Sequence, residues 1–315
     1  MSQHHIYIDG QAGTTGLQIT ERLSKRSDLH VQYLNDSERK DPEARKAALR
    51  AADVAILCLP DAAAREAVEL AAGETRILDA SSAFRTDPTW AYGLPELAID
   101  QRNQIRNARC VSNPGCYPQG FILMTRPLIE SGLLPADQPL SCHAVSGYSG
   151  GGRSMVEEHK DYNEAAADRF CHQTYGLNLN HKHVPEMQYY SGTQQRVLFS
   201  PAVAHYYQGM LVHVPLFASA LNGSVDSIHS TLTERYAHEP LINVLPQAEL
   251  ASLSYLNPVE RNADNQIDIM VFTVPDQALL VARYDNLGKG AAGAAVQNLN
   301  IMLGQEELMG LEDNA

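Results

Sequence analysis

The segment Ser112-Asn113-Pro114-Gly115-Cys116-Tyr117-Pro118 places a thiol where an apolar strand gives way to a helix. The N–H groups of a helix's first turn have no partner within the helix and carry about half a positive charge, so a thiolate there is favoured and its pKa falls below the free value of about 8.5. Such a sulfur is suited to nucleophilic attack. Pro118 fits the first helical position, where its missing N–H costs nothing, and Phe121 to Met124 continue as a buried helix. Cys58, Cys110 and Cys142 fall in apolar strand-like runs and read as core, and Cys171 has no supporting pattern.

A thiolate nucleophile works with an acid/base, most often a histidine. In Asn180-His181-Lys182-His183-Val184-Pro185-Glu186 two histidines lie two apart, and in an extended segment they point the same way. His183 directly precedes the Val-Pro-Glu turn and is the first choice, with His181 as alternate. The spacing would also suit a metal, but no third ligand cluster accompanies it, so no metal is expected. His143, His159, His172, His205 and His213 stand alone and are not nominated. Gly147-Tyr148-Ser149-Gly150-Gly151 matches the GxSxG pattern of hydrolases, the rival reading from another class. Three successive glycines make a poor helix start, so a flexible loop that brings Ser149, Gly150 and Arg153 to an anion is expected instead.

Directly after the first apolar run comes Gly10-Gln11-Ala12-Gly13-Thr14-Thr15-Gly16, then an amphipathic stretch with Leu17, Ile19 and Leu23. Glycines let the backbone approach a pyrophosphate, whose charge rests on the helix N-terminus. Ala12 replaces the second glycine of the commoner GxGxxG. After the second strand, Ser37, Arg39 and Lys40 suit the extra phosphate of NADP, while Asp36 suits the ribose diol of NAD.

The elements that must position these groups follow from pattern. Strands are expected at Ile6–Asp9, Val31–Leu34, Val54–Leu59, Arg76–Asp79 and Ala108–Ser112, alternating with helices such as Thr15–Lys25 and Ala62–Ala72, the latter capped by Asp61. This is a Rossmann-type doubly wound parallel sheet in an α/β fold. Beyond Cys116, Leu211 to Pro215 and Ile267 to Val271 alternate with period two, which predicts an α+β domain with a mixed or antiparallel sheet. A helix over Ser224–Tyr236, a strand over Ala278–Arg283 and a final helix over Gly290–Leu303 complete it. Loops at 161–180 and 241–265 read as insertions or subunit contacts. With 315 residues, 44% of them hydrophobic, the chain supports two domains. No run is long and apolar enough for a membrane span, and five cysteines without metal-type pairing fit a cytoplasmic location. A net charge of −13 disfavours nucleic acid and anionic lipid as partners.

Gly10 to Gly16, Tyr92-Gly93-Leu94-Pro95-Glu96-Leu97, Ser112 to Pro118, Ser146 to Gly150, His181 to Glu186, and Asp285-Asn286-Leu287-Gly288-Lys289-Gly290-Ala291-Ala292-Gly293 together resemble the N-acetyl-gamma-glutamyl-phosphate reductases of arginine biosynthesis, in their shorter variant. The cysteine turn and the last glycine-rich segment also resemble aspartate-semialdehyde dehydrogenase, which leaves reduction of another acyl phosphate as the alternative. The resemblance implies an NADP-binding domain of residues 1–115 and 286–315 around a catalytic and oligomerisation domain of residues 116–285. Asn286, Gly288, Lys289 and Gly290 would approach the nicotinamide. The implied reaction is NADPH-dependent conversion of an acyl phosphate to a semialdehyde and inorganic phosphate through a Cys116 thioester, in a homodimer or homotetramer. Arg153, then Arg85 and Arg109, are candidates for the substrate's phosphate and carboxylate, because a planar guanidinium binds such oxygens bidentately. Ser82 stands where the family pattern leads one to expect an aspartate.

Overall fold

The structure, a computed structural model, describes residues 3–160, 171–262 and 264–311. The chain divides into two compact units, one of residues 1–115 with 291–315 and one of residues 116–290.

Six short runs form the sheet of the first unit: β1 (His4–Asp9), β2 (Leu29–Gln32), β3 (Val54–Leu57), β4 (Arg76–Asp79), β5 (Ala91–Tyr92) and β6 (Cys110–Ser112). Their order is β2-β1-β3-β4-β6-β5, with every neighbouring pair parallel. All four residues of β3 are buried, as a central strand covered on both faces requires. The helices are α1 (Thr14–Ser24), α2 (Pro42–Ala51), α3 (Asp61–Ala71) and α4 (Gln101–Asn107). Each turns a small-residue or aliphatic stripe inward: Gly16, Ile19 and Leu23 on α1, and Ala64, Ala67 and Ala71 on α3. Tyr7, Leu57 and Ile77 anchor one core, extended by Phe84 stacked on Trp90 at 4.2 Å.

Several boundaries differ from expectation. β2 runs from Leu29 and β6 only from Cys110. Asp61 is not a cap but the first residue of α3 after Pro60, and its carboxylate accepts from the N–H and hydroxyl of Ser82. The unanticipated α2 has a clear start: Asp41 accepts from the Glu43 N–H, and Pro42 follows it.

The second unit holds β7 (Ser141–Gly147), β8 (His172–Thr174), β9 (Leu198–Ala204), β10 (Met210–Phe217), β11 (Ile242–Val244), β12 (Ile267–Val274) and β13 (Gln277–Tyr284). They form one mixed sheet in the order β11-β12-β13-β10-β7-β9-β8, with β7·β9 and β11·β12 parallel and the rest antiparallel. α5 (Cys116–Glu130) packs on β10 and β13 and against α7 (Val184–Ser191) and α8 (Asp226–Tyr236); α6 (Gly152–Lys160) follows β7. Leu211, Met270 and Val281 face the other way, under Leu245 and Leu250.

The stretches read as insertions instead supply the sheet's two edge strands, β8 and β11; residues 161–170 lie outside the described residues. The 241–265 stretch is fastened to the sheet by Arg261 on Asp268 at 2.7 Å. After a π turn at Gly288–Ala292 the chain enters α9 (Gly293–Leu303), whose residues from Gly293 to Met302 are all buried. Among the described residues no helix is long and apolar enough to cross a membrane.

Candidate active site

α5 begins at Cys116 itself, two residues earlier than Pro118 suggested, so Pro118 lies in the first turn rather than opening it. Cys116 is half-buried, as is Cys58, while Cys110 and Cys142 are buried; desolvation pushes the thiols of Cys110 and Cys142 up and that of Cys58 to about 12. Tyr117, Tyr175 and Tyr284 are all held well above the ordinary tyrosine range, first by burial, and each stands close enough to Cys116 to feel a charge on its sulfur. The Tyr284 hydroxyl donates to the Cys116 carbonyl at 2.5 Å and accepts from the Gly120 N–H at 3.0 Å. The glycine-rich turn closes on the same residue. A Cβ on Gly290 would lie 3.2 Å from Cys116 Cβ, and Gln119 Nε2 donates to the Lys289 carbonyl at 2.9 Å.

His181 and His183 are brought together, though not by an extended strand. His183 has helical φ and ψ at the start of α7, so the segment is a turn, and the rings sit 4.7 Å apart at 65°. Tyr117, the neighbour of Cys116, is 6.4 Å from the His181 ring and 5.8 Å from that of His183. Tyr175 and Phe199 close around His181 at 5.6 and 5.1 Å. The His183 main-chain N–H donates to His181 Nδ1 at 3.1 Å, so a neutral His181 carries its proton on Nε2. Sequence reasoning missed Tyr175, Phe199 and Tyr284, which no spacing rule connects to Cys116.

The expected flexible loop after Ser149 is ordered. Tyr148–Gly151 forms a 3₁₀ turn and α6 does start at Gly152, whose φ of +76° makes the junction. The N–H groups of Tyr148 and Ser149 donate to Tyr206 and Tyr207 carbonyls, which fixes the turn on the β9–β10 connection. Tyr148 stacks on His159 at 4.5 Å, and His159 on His205 at 5.5 Å, a ring stack that docks α6 and that nothing in the spacing announces. Ser149 is buried and its hydroxyl accepts from Asn286 Nδ2 at 3.0 Å, an amide rather than the imidazole a hydrolase needs. Asn286 also accepts from the Gly209 N–H. Its side chain thus ties three loops together. A Cβ on Gly150 would sit 3.0 Å from Ser146 Oγ, and one on Gly288 2.8 Å from the Asp264 carbonyl. Arg153 is exposed on α6 and pairs with Glu157 one turn on at 2.7 Å. Among the described residues no group of three or more potential ligands is placed to hold a metal ion.

In the first unit, β1 is where strand order reverses, and there the loops after β1 and β3 meet. Gly10 has φ +91°, and a Cβ on it would lie 2.3 Å from the Cys58 carbonyl; one on Gly16 would lie 2.6 Å from the Gly10 carbonyl. Gly13 caps α1, which starts at Thr14 and Thr15 with no side-chain cap and no acid in its first turn. These bare N–H groups beside a cradle only glycine can line fit the pyrophosphate of a dinucleotide. Ser37, Arg39 and Lys40 form an exposed turn after β2, in which Ser37 donates to Asn35 Oδ1 and Arg39 pairs with Asp36 at 3.1 Å.

The turn leading to Cys116 is held from this unit. Arg85 is buried, donating from Nε to the Asn113 carbonyl at 3.0 Å and from Nη2 to that of Ala80 at 3.1 Å. Asn298 on α9 donates to Asn113 Oδ1 and to the Gly93 carbonyl, and Asn113 donates to the Ala291 carbonyl. A Cβ on Gly93 would strike Asn298, so the Tyr92–Leu97 motif serves this anchor. Arg109 is a correction. It precedes β6, against Gly73, and so lies at the N-terminal edge of a parallel sheet whose ligands bind at the other.

The family model described as "Semialdehyde dehydrogenase, NAD binding domain" matches residues 5–108, and "Semialdehyde dehydrogenase, dimerisation domain" matches residues 116–286. The chain belongs to the semialdehyde dehydrogenase family. It is therefore an oxidoreductase with a nucleotide-binding domain. Within the semialdehyde dehydrogenases it is similar to the N-acetyl-gamma-glutamyl-phosphate reductases of Brucella ovis and Brucella canis, each 50% identical over 309 residues that cover 95% of this chain and 99% of the relative. Among solved structures, aspartate semialdehyde dehydrogenase from Francisella tularensis has a TM-score of 0.73 at 15% identity, covering 96% of this chain and all of that one. Aspartate semialdehyde dehydrogenase II from Vibrio cholerae has a TM-score of 0.72 at 16%, covering 96% and 99%. At such identity these two show the shared semialdehyde dehydrogenase fold.

Proposed function

We propose that the chain is a cytoplasmic enzyme that reduces N-acetyl-gamma-glutamyl phosphate to N-acetylglutamate semialdehyde, with release of inorganic phosphate and with NADPH as reductant. The observation that carries this reading is Cys116 at the first position of a helix, with Tyr117 packed on both histidines, in a chain half identical to such reductases along nearly its whole length.

The Cys116 thiolate attacks the acyl carbon, the bond to the phosphate oxygen breaks with its electron pair, and a thioester remains. When bound, the dinucleotide supplies the hydride that reduces this thioester. Gly10, Gly13, Thr14, Thr15 and Gly16 would hold its pyrophosphate, and Ser37, Arg39 and Lys40 would favour a 2′-phosphate, for which Arg39 would exchange its Asp36 partner. First-turn N–H groups of α5 steady the oxyanion, an effect of about 3–4 kcal/mol per well-placed donor. The geometry favours His181 as the acid that protonates the oxyanion, since its Nε2 carries the proton. His183 is buried at the N-terminus of α7 and positions His181 through its main-chain N–H. Collapse of the thiohemiacetal frees the aldehyde and regenerates the thiolate. Arg85 lies beside the Cys116 turn and is preferred over Arg153 for the substrate phosphate.

The reverse reaction tests the reading. N-acetylglutamate semialdehyde should reduce NADP+ only when inorganic phosphate is present, with kcat/KM at least about a hundredfold above that for aspartate semialdehyde or for NAD+ in place of NADP+. Phosphate-independent turnover, or a preference for aspartate semialdehyde, overturns it. The exposed apolar strip of Pro215, Phe217, Val274 and Leu279, with half-buried Phe272 among them, on the sheet of the matched dimerisation region supports a homodimer. Sedimentation of the Phe217→Lys variant as a monomer checks this, and an unchanged dimer removes that face.

A further inference from the structure

We propose that Tyr284 is a positioning residue for the nucleophile, anchoring the first turn of α5, and with it the main chain of Cys116, to strand β13. The inference rests on the reading of Cys116 as the reacting sulfur. The hydroxyl of Tyr284 meets the carbonyl of Cys116 and the N–H of Gly120, the i and i+4 groups that pair in the opening turn of a helix. One side chain from the sheet thus engages both ends of that turn. Tyr284 is fully buried on the last residue of a strand whose whole length pairs with β10, so it is a rigid point of attachment.

Gly120 is the counterpart on the helix. A Cβ there would lie 2.9 Å from the Tyr284 hydroxyl and 3.0 Å from Ala282 Cβ, so the approach of phenol to helix requires glycine in a position where its helical propensity is poor. Pro118 has no N–H to give, which leaves the first turn with fewer donors to hold its own shape. Helix, glycine and tyrosine therefore form one device, and its output is the orientation of residue 116.

The test compares two buried tyrosines that donate to carbonyls of the same helix. Tyr236 donates to the Leu123 carbonyl at 2.7 Å, seven residues beyond Cys116. In the full-length enzyme Tyr284→Phe should lower kcat about ten- to hundredfold with KM within twofold, since small misplacement of a reacting group has costs of that order. The rate of Cys116 alkylation by iodoacetamide at pH 7, read by mass spectrometry, should fall at least about fivefold. Tyr236→Phe should lower the melting temperature while leaving kcat and alkylation within twofold. Gly120→Ala, which presses on the hydroxyl from the helix side, should reproduce the Tyr284→Phe kinetics and serves if that variant does not accumulate folded. Wild-type kcat and alkylation in Tyr284→Phe, or equal kinetic losses in Tyr236→Phe, overturn the proposal. The underlying reading fails separately, if alkylating Cys116 of the unmodified enzyme leaves its activity intact.

Discussion

Cys58 and Cys116 both stand where a strand of the chain turns into a helix, yet their surroundings differ. Cys58 follows β3, and its thiol is driven up to about 12 by burial, with the charges of Asp79 and Asp9 adding to it. Cys116, equally half-buried, opens α5 at the helix N-terminus, with the phenols of Tyr117 and Tyr284 within electrostatic reach. A strand–turn–helix setting therefore does not make a nucleophile by itself. The groups that face the sulfur decide, and at Cys58 these include two carboxylates.

The sharpest way to break this contrast is to exchange the sulfurs for oxygen. Cys116→Ser should cut turnover by at least about a thousandfold with dinucleotide affinity within twofold by fluorescence titration, while Cys58→Ser should leave kcat within twofold. Equal losses in the two variants would erase the distinction. Next comes the acid/base beside Cys116, which has no counterpart at Cys58. His181→Asn should cost about a hundredfold or more in kcat, and His183→Asn about tenfold. The reverse ranking in steady-state assays would return the proton-donating role to His183. The smallest effect concerns Asp79, one of the acids facing Cys58. Burial raises its carboxyl to about 6, so between the unfolded value of about 4 and that figure the folded chain holds the extra proton. Its contribution to stability is then present below about pH 4 and lost as pH rises through 6, leaving a penalty of up to about 3 kcal/mol at pH 7. Asp79→Asn should accordingly raise the urea midpoint at pH 7 and show no advantage near pH 4. A gain that is constant across that range rules out the buried charge as its source.

The Rossmann-type sheet, the cysteine turn and the phosphate loop were legible because each rests on local rules: alternating apolar runs, glycine spacing, a proline near a helix start. What escaped was set by tertiary contact. Arg109 and Arg85 look alike in sequence, but one precedes its strand and the other follows, and a parallel sheet binds ligands only at the second kind of end. The histidine pair, expected in an extended segment, lies in a turn because His183 already takes helical φ and ψ just ahead of α7. Glycines 150 to 152 did not prevent a helix, since the turn before it is held by Tyr206 and Tyr207 rather than by propensity. Asn298 gave no signal at all. An amide on an otherwise apolar helix shows its purpose only when Asn113 and Gly93 are seen to receive it.

The first unit is interrupted in sequence, with the second unit complete between its two parts. On the ribosome Gly93 and Glu96 emerge long before Asn298 and Gln297, their buried partners on α9. At ordinary synthesis rates the wait is roughly ten to forty seconds, during which the intervening unit can finish folding. The nascent dinucleotide-binding part must spend that interval with an open flank, which makes it the portion of the newborn chain most in need of a chaperone.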